Sequence, residues 1–511
     1  MDMAGRGHGP RFGHSASTMT MASLLFWGED ASPQTAIAPP SPRLMGARAS
    51  GAILTSMPCW FSTDWPSPGS SPELERENRD LRARLRKDSS NSNKPPSSDS
   101  PYKEKPPKKK KGKRKVGGQP GHKGVTRAWV SPERVTERKV LRATVCGCGA
   151  SLLGQPPTTG TWSRQVVEVP EITPTVIEYV FEVLACPCCA KLTAPEVPPE
   201  AATCTGPNLT ALAATLVGEY HLSRDATASL LGTVLHMPIC PATVQNCCEQ
   251  VSVGLESATR EVDEALPSES VLHLDETSWK QRRVLHWLWI AVGEKLTSFA
   301  IHRRRGREQL SRWFPNGFAG VINCDRWRPY ETFDKRQLCW SHLERDLQAI
   351  IDGGKAGATA ATQALEGADS MFATWGKFRE GQYSRDELQR LTKNYRGGFQ
   401  KFCAKGAKQA RDRKWRALGK DLLRQWDAVF RFLDTEGIEP TNNTAERGLR
   451  TAVMWRKCSQ GTRTNAGSTF VERILTATAN CRRQGRSVLR FLADTLLAHR
   501  AGLPTPSLLP A

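Results

Sequence analysis

The chain has 511 residues, and its 72 Lys and Arg against 51 Asp and Glu give a formal net charge of +21. That length holds three or four folded units at roughly 150 residues each, and the charge points to a polyanionic partner, nucleic acid before an anionic membrane surface. No run of about 18 apolar residues is present, which excludes an apolar spanning helix, and fifteen cysteines fall far below the roughly 8–10% of a disulfide scaffold. The apolar run at 21–30 is short and ends in Glu29 and Asp30, unlike a secretory leader. A reducing, cytoplasmic location on the nucleoid is therefore expected, with no membrane partner and with clustered cysteines read as metal ligands before disulfides.

Residues 1–70 are rich in Pro, Ser, Gly and Ala without helical or strand periodicity, and hold six of the nine methionines. They are expected to be a disordered or non-native extension. Over 71–90, Leu74, Asn78, Leu81 and Leu85 fall at 4-3-4 spacing, the seam of a short coiled coil or one solvated helix. Residues 91–130 read as a disordered arm. Within it, 101–124 carry ten Lys or Arg against one Glu, and Lys108, Lys109, Lys110, Lys111, Lys113, Arg114 and Lys115 form its densest part. Such an arm gives salt-sensitive, sequence-independent affinity for DNA phosphates.

Residues 139–200 alternate as strands do, above all RQVVEVPEITPTVIEYVFEVLAC. Cys146 and Cys148 stand on one side of that run, and Cys186, Cys188 and Cys189 on the other. Two cysteine knuckles joined by strands read either as a zinc ribbon, with Cys146, Cys148, Cys186 and Cys189 as ligands, or as a ribbon that keeps buried thiols without metal. Residues 207–265 are helical by pattern, with a turn at 237–241 between two helices. That is the outline of a DNA-binding helix-turn-helix, and equally of plain helical packing.

From 270 the pattern becomes α/β. VLHLDETSW, RRVLHWLWIAV and KLTSFAIH read as three strands, with Gly293 at the second turn. GREQLSRWF reads as a helix, GVINCD and RQLCW as further strands, and about 100 residues after 341 as helices. This is the order of a ribonuclease-H-like core spanning 270–495, with a helical insertion at about 343–435 and a tail at 496–511.

Three acids stand out. Asp275 lies in the first strand, with Glu276 on the opposite face because strand side chains alternate. Asp325 follows the apolar run 321–324, and Glu446 sits near a helix start. Acids at the ends of central strands are costly unless paired or metal-bound, and three that converge can hold two divalent cations for phosphoryl transfer, Mg²⁺ or Mn²⁺ in preference to zinc. Against this, a lone Asp at a strand end serves as a turn residue or cap, and Asn443 with Glu446 has capping-box spacing. His342 reads as a packed or capping residue, or as one that approaches the metal site or DNA. Trp287 and Trp289 share one strand face, for core packing or for base stacking. Arg447, Arg450, Arg456 and Lys457 surround the last acid as a solvated face or as DNA-backbone contacts.

The runs DETSW, HWLWIAV, DRWRPY, QLCWSHLERDLQA, PTNNTAERGLR, WRKCSQGT and FVERILTATANCRRQGRSVLRFL, in that order, resemble the transposases of insertion sequence family 66, as do LRARLRKDSSNSNKPPSSD and GGQPGHKG upstream. The resemblance runs from about residue 72 to about 493. It implies a multidomain α/β protein: a ribonuclease-H-like DDE core with a helical insertion, preceded by a zinc-ribbon-like β segment and a helical DNA-binding segment. The triad would be Asp275, Asp325 and Glu446, spaced by 50 and 121 residues, acting with Mg²⁺ or Mn²⁺ on double-stranded DNA at the element's ends and target. A homo-oligomer on DNA and accessory proteins of the same element are the further partners it implies. A decayed, non-catalytic DNA-binding protein and a nuclease that hydrolyses without joining are the alternatives. The first cysteine knuckle, C-x-C here, departs from the C-x-x-C that such transposases carry.

Overall fold

The computed structural model describes residues 127–510 apart from 159, 161 and 410, together with 88, 89, 91 and 124, all within the unit Ser70–Ala511. The coiled-coil seam and the basic cluster Lys108–Lys115 lie outside the described residues.

The alternating segment at 139–200 does not form the expected ladder. Its described strands are the short antiparallel pair β1 (Leu184–Ala185) and β2 (Leu192–Thr193), with one bridge between Val145 and Ser151. Val166, Val169, Val176 and Val180 each remain more than 70% exposed. Period-2 apolarity gave extended backbone here without a partner strand, and an unpaired strand has no ladder to count.

Four helices follow: α1 (Pro207–Gly218), α2 (Arg224–Leu235), α3 (Pro241–Gly254) and α4 (Glu256–Ala265). Ser223 caps α2 by accepting from the Ala226 N–H at 3.0 Å, and His236 ends it in the left-handed region, so the helix–turn–helix outline is present. However, α3 buries Val244, Cys247, Cys248 and Val251, carries no Lys or Arg, and its Gln245 donates to Glu249 at 2.6 Å. Its buried face packs within the helical group, and its sequence offers no basic side chain to a phosphate.

The central sheet has the order β5-β4-β3-β6-β7. Strands β3 (Val271–Gln281), β4 (Val284–Val292) and β5 (Thr297–His302) form an antiparallel meander; β6 (Val321–Cys324) and β7 (Arg336–Leu338) run parallel to β3. The β3–β4 turn is Arg282–Arg283, both at positive φ, as a two-residue type I′ hairpin requires. The left-handed cost is offset where Arg282 donates its backbone N–H to the Thr462 carbonyl at 2.9 Å and its Nε to that of Arg463 at 3.1 Å. The helix expected at 306–314 shrinks to a 3₁₀ turn and α5 (Leu310–Trp313).

After β7 come α6 (Trp340–Ile351), α7 (Ala358–Arg379), α8 (Arg385–Ala407), α9 (Arg413–Arg424), α10 (Trp426–Val429) and α11 (Arg431–Asp434), built around their own aromatic core of Trp340, Phe399, Phe430 and Trp415. They cover one sheet edge: Arg431 Nε donates to the Arg336 carbonyl of β7 at 2.9 Å, and the Gln337 side chain accepts from the Phe432 N–H at 2.8 Å and donates to the Val429 carbonyl at 3.2 Å.

Helices α12 (Asn443–Ser459), α13 (Asn465–Arg483) and α14 (Val488–Arg500) complete the unit. The expected tail boundary at 496 falls inside α14, and the segment beyond packs back, burying Leu508 completely. The other sheet edge is closed by α13. Glu472, Thr476 and Asn480, four residues apart, accept from the N–H groups of Ile301, Phe299 and Thr297 at 2.8, 3.0 and 3.0 Å. Four helical residues rise about 6 Å and two strand residues about 6.7 Å, so one helix face can serve one strand edge. Asn480 also donates to the Thr297 carbonyl at 2.7 Å. No helix among the described residues is long and apolar enough to cross a membrane.

Replacing Asn480 by Leu leaves the buried N–H and carbonyl of Thr297 without partners. The expected loss is roughly 2–4 kcal/mol of stability, read as a fall in the thermal midpoint, while Asn480→Asp, which keeps the acceptor, loses less.

Candidate active site

Register places the first two acids. His273 on β3 is opposite Asn323 on β6, so Asp275 and Asp325, two residues on in each of two parallel strands, fall side by side where β6 has just ended. Asp325 is held there by the Trp327 N–H, which donates to its Oδ1 at 2.8 Å. Asp275 Oδ1 accepts from the Glu276 N–H at 2.9 Å.

Two asparagines bring the third acid across 121 residues. Asn323 donates to the carbonyls of Glu439 and Thr441 at 2.6 and 3.2 Å, and Asn442 donates to the Leu274 carbonyl at 2.7 Å. His273 Nδ1 lies 3.2 Å from Asn442 Oδ1; burial holds that imidazole down to about 4, in its neutral form. The start of α12 is thereby pinned over the residue before Asp275. A Cβ on Gly448 would lie 2.5 Å from Ile290 Cδ1, so glycine permits this close approach of α12 to β4. Glu446 lies in the first turn of α12. The capping-box alternative does not hold, because the N-cap is Asn442, one residue earlier than that spacing needs, and no side chain caps the helix.

The acids feel one another. Burial first, then the charges of Glu276, Asp325 and Glu446, raise the Asp275 carboxyl well above the usual carboxylate range. Burial also raises Asp325, against the Trp327 N–H and the charge of Arg305. On the opposite face of β3, Glu276 is buried, accepts from Arg305 Nε at 2.5 Å and from the Tyr330 hydroxyl, and is pushed up to about 7 by burial and by Asp325. Arg305 stands between the rings of Trp327 and Trp287, 4.1 and 4.8 Å from their centroids, and 4.0 Å from Asp325. Trp289 is fully buried, edge-on to Tyr330. Beside Asp325, Arg326 pairs with Asp346 of α6 and, at 2.6 Å, with Asp421 of α9, tying the site to the inserted helices.

Glu446 lies 3.5 Å from Arg345 Nη2 and 4.0 Å from His342 Nδ1. Among the described residues, the metal-competent set whose ligand atoms all lie within 4.8 Å of one another is Cys339, His342 and Glu446, so the three acids do not themselves close that tightly. Their donor set still fits hard divalent cations: oxygen ligands only, with mutual repulsion that a cation relieves.

The basic residues divide. Arg447, Arg450 and Lys457 are exposed, Arg450 and Lys457 within about 40° of Glu446 around α12 and Arg447 about 100° from it. Arg456 points the other way, donating to Thr277 Oγ1 at 2.9 Å and to the Ser278 carbonyl and hydroxyl at 2.6 Å, so it braces β3. A surface that the motif reading passed over is the insertion itself: 385–424 hold thirteen Lys or Arg against four Asp or Glu. Arg390, Lys401 and Lys405 lie exposed along one face of α8, with Lys408 exposed at its C-cap. A charge count over the insertion would have found it.

The cysteine knuckles are alike in backbone. The N–H groups of Cys146 and Cys186 donate to the carbonyls of Ala150 and Lys191, both at 2.9 Å, while their own carbonyls accept from Gly149 and Ala190, which have positive φ. The Cys146 thiol is lowered by the Cys148 backbone N–H, and the Cys186 thiol by those of Cys188 and Cys189, as in a thiolate site. None of Cys146, Cys148, Cys186 and Cys189 is in a disulfide.

Three sequence families match this chain. The Transposase IS66 family matches residues 202–469, the zinc-finger binding domain of transposase IS66 matches 143–190, and a family of unknown function matches 70–128. A protein of Sinorhizobium fredii (strain NBRC 101917 / NGR234), named Uncharacterized protein y4qI, is 22% identical over 242 residues, covering 43% of this chain and 44% of that relative, so the match spans less than half its length.

A carboxyl raised above its unfolded value is neutral below the folded value and charged above it, so raised acids penalise the folded state as pH climbs, and a cation gains only from the charged form. Saturating Mg²⁺ should therefore raise the thermal midpoint by a few degrees at about pH 8, for roughly 2–3 kcal/mol, and far less at about pH 5. Asp275→Asn should shrink the increment at the higher pH. Equal increments at both pH values would contradict a site built on these acids.

Proposed function

This chain belongs to the Transposase IS66 family, and from that premise we propose that it cuts DNA at the ends of an insertion sequence and joins those ends to a target through Asp275, Asp325 and Glu446. The observation that carries the reading is the convergence on Asp275, whose carboxyl feels Asp325 from the neighbouring parallel strand and Glu446 from the helix laid over it. The strand order β5-β4-β3-β6-β7, antiparallel then parallel, supports a ribonuclease-H-like core with helices α6–α11 as its insertion.

Mg²⁺ or Mn²⁺ held by the three carboxylates would supply activation of the attacking oxygen, water and later a DNA 3′-hydroxyl, and neutralise charge on the leaving oxygen. The protein's own part is positioning. The Trp327 N–H and the Arg305–Glu276 pair fix Asp325, and Asn442 fixes the helix that presents Glu446. No Ser or Tyr nucleophile is required, because the displacement is direct. Arg447, Arg450 and Lys457 run from Glu446 along the exposed face of α12, where phosphates of a bound strand would lie. The basic face of α8 offers a second track, salt-dependent and independent of sequence.

Cys146, Cys148, Cys186 and Cys189 would hold one Zn²⁺ in the zinc-finger domain, ordering a segment whose strands are short and exposed. A homo-oligomer on DNA and helper proteins of the same element complete the proposal.

Strand transfer by the purified full chain on DNA carrying the element's ends, with Mg²⁺ or Mn²⁺, tests it. Asp275→Asn, Asp325→Asn and Glu446→Gln should each lower joined product by at least about 10²–10³-fold while end binding changes little. Wild-type joining by Asp325→Asn would overturn the assignment of the acids. Cleaved products with no joining would point to a nuclease instead.

A further inference from the structure

Where β7 gives way to α6, the chain brings a thiol and an imidazole up to Glu446. Cys339 is the N-cap residue of α6 and 1% exposed; His342 lies one turn on, its side chain 15% exposed. Their ligand atoms and that of Glu446 all lie within 4.8 Å of one another. Two further observations single the cluster out. His342 Nδ1 is buried without a hydrogen-bond partner, its near neighbour being Glu446 Oε1 at 4.0 Å. A buried nitrogen left so costs free energy unless something fills the space before it. The Cys339 sulfur, in turn, accepts the Asn442 N–H at 3.1 Å, a hydrogen bond that fixes the sulfur in place and that a metal-bound thiolate would keep, while burial holds the free group as a thiol.

We propose that Cys339, His342 and Glu446 form a second metal site, for a thiophilic divalent cation of the Zn²⁺ class. One sulfur, one imidazole nitrogen and one carboxylate oxygen are a three-ligand set that leaves a fourth position open to water. Sulfur selects against Mg²⁺ and for zinc or its analogues. Binding releases the Cys339 proton to solvent and leaves the thiolate on the metal. Arg345, at 3.5 Å from Glu446 Oε1, holds the contact that an arriving cation displaces.

The site makes a second claim on one carboxylate. Glu446 cannot serve a zinc ion beside His342 and the Mg²⁺ set beside Asp275 equally well, so zinc should inhibit the Mg²⁺-dependent reaction. This consequence rests on the proposed role of Glu446; the metal site itself does not.

The test is a titration of the metal-free, reduced full chain with Co²⁺, without DNA, followed by its thiolate-to-metal absorption. The wild type should bind one more Co²⁺ per chain than Cys339→Ser, and His342→Asn should weaken that extra ion at least tenfold. The extra ion should persist in Cys186→Ser, which removes a zinc-finger ligand. Identical titrations for the wild type, Cys339→Ser and His342→Asn would overturn the site; if Cys339→Ser fails to fold, His342→Asn alone decides. The two readings fail separately. A chain that joins DNA normally yet shows no extra Co²⁺ lacks only this site, whereas extra Co²⁺ without any strand transfer counts against the transposition chemistry alone.

Discussion

The architecture turns on two buried asparagines. Asn323, fully buried, and Asn442, 1% exposed, hold the segment entering α12 against the sheet through hydrogen bonds to the carbonyls of Glu439, Thr441 and Leu274. Helix propensity alone would place Glu446 anywhere along an arc about the sheet. These bonds reduce that freedom to one approach, directly over the strand that carries Asp275. Asn442 then does a third thing: its backbone N–H reaches the Cys339 sulfur, so the β7–α6 junction shares the same anchor.

Around that anchor the sheet has no open edge. On one side α13 satisfies the outward N–H groups of β5 with Glu472, Thr476 and Asn480; on the other, the helices after β7 bond to it through Val429, Arg431 and Phe432. An edge closed by side chains costs nothing in unsatisfied backbone and prevents pairing with a second chain. It also makes the inserted helices part of the site. Arg326, next to Asp325, is held by Asp346 and Asp421 from two of them. Burial first, and then neighbouring carboxylates, raise Asp275 and Glu276 above the usual carboxylate range.

Much of this was legible beforehand. The β3–β4–β5 meander follows from three apolar runs with a turn at Gly293, although Arg282 and Arg283, read as the start of the second strand, form the first turn; the nearness of Asp275 and Asp325 follows from parallel register once β6 is placed beside β3. Glu446 stood out as an acid near a helix start, but its place over β3 was not readable, since that depends on Asn323 and Asn442, whose partners lie more than 100 residues away in sequence. Arg456 illustrates a weaker reading. Its guanidinium turns to Thr277 and Ser278 of β3 while Arg447 faces solvent, so proximity in sequence to Glu446 did not make it part of the exposed face. The alternation between 164 and 185 misled for the converse reason: a strand pattern states a preference, and only a partner makes a strand. The charge on α8 and α9 was in plain view and needs no periodicity to be seen.

The most direct test of the account is iron-mediated cleavage of the polypeptide itself. Fe²⁺ replaces Mg²⁺, ascorbate and peroxide generate hydroxyl radicals at the bound ion, and the fragments report which segments lie beside it. Cuts near residues 275, 325 and 446, suppressed by excess Mg²⁺ and lost together in Asp275→Asn, are the result expected if one cation site gathers all three acids. Cuts confined to the neighbourhood of 339–342 and 446, unchanged by Asp275→Asn, would contradict it.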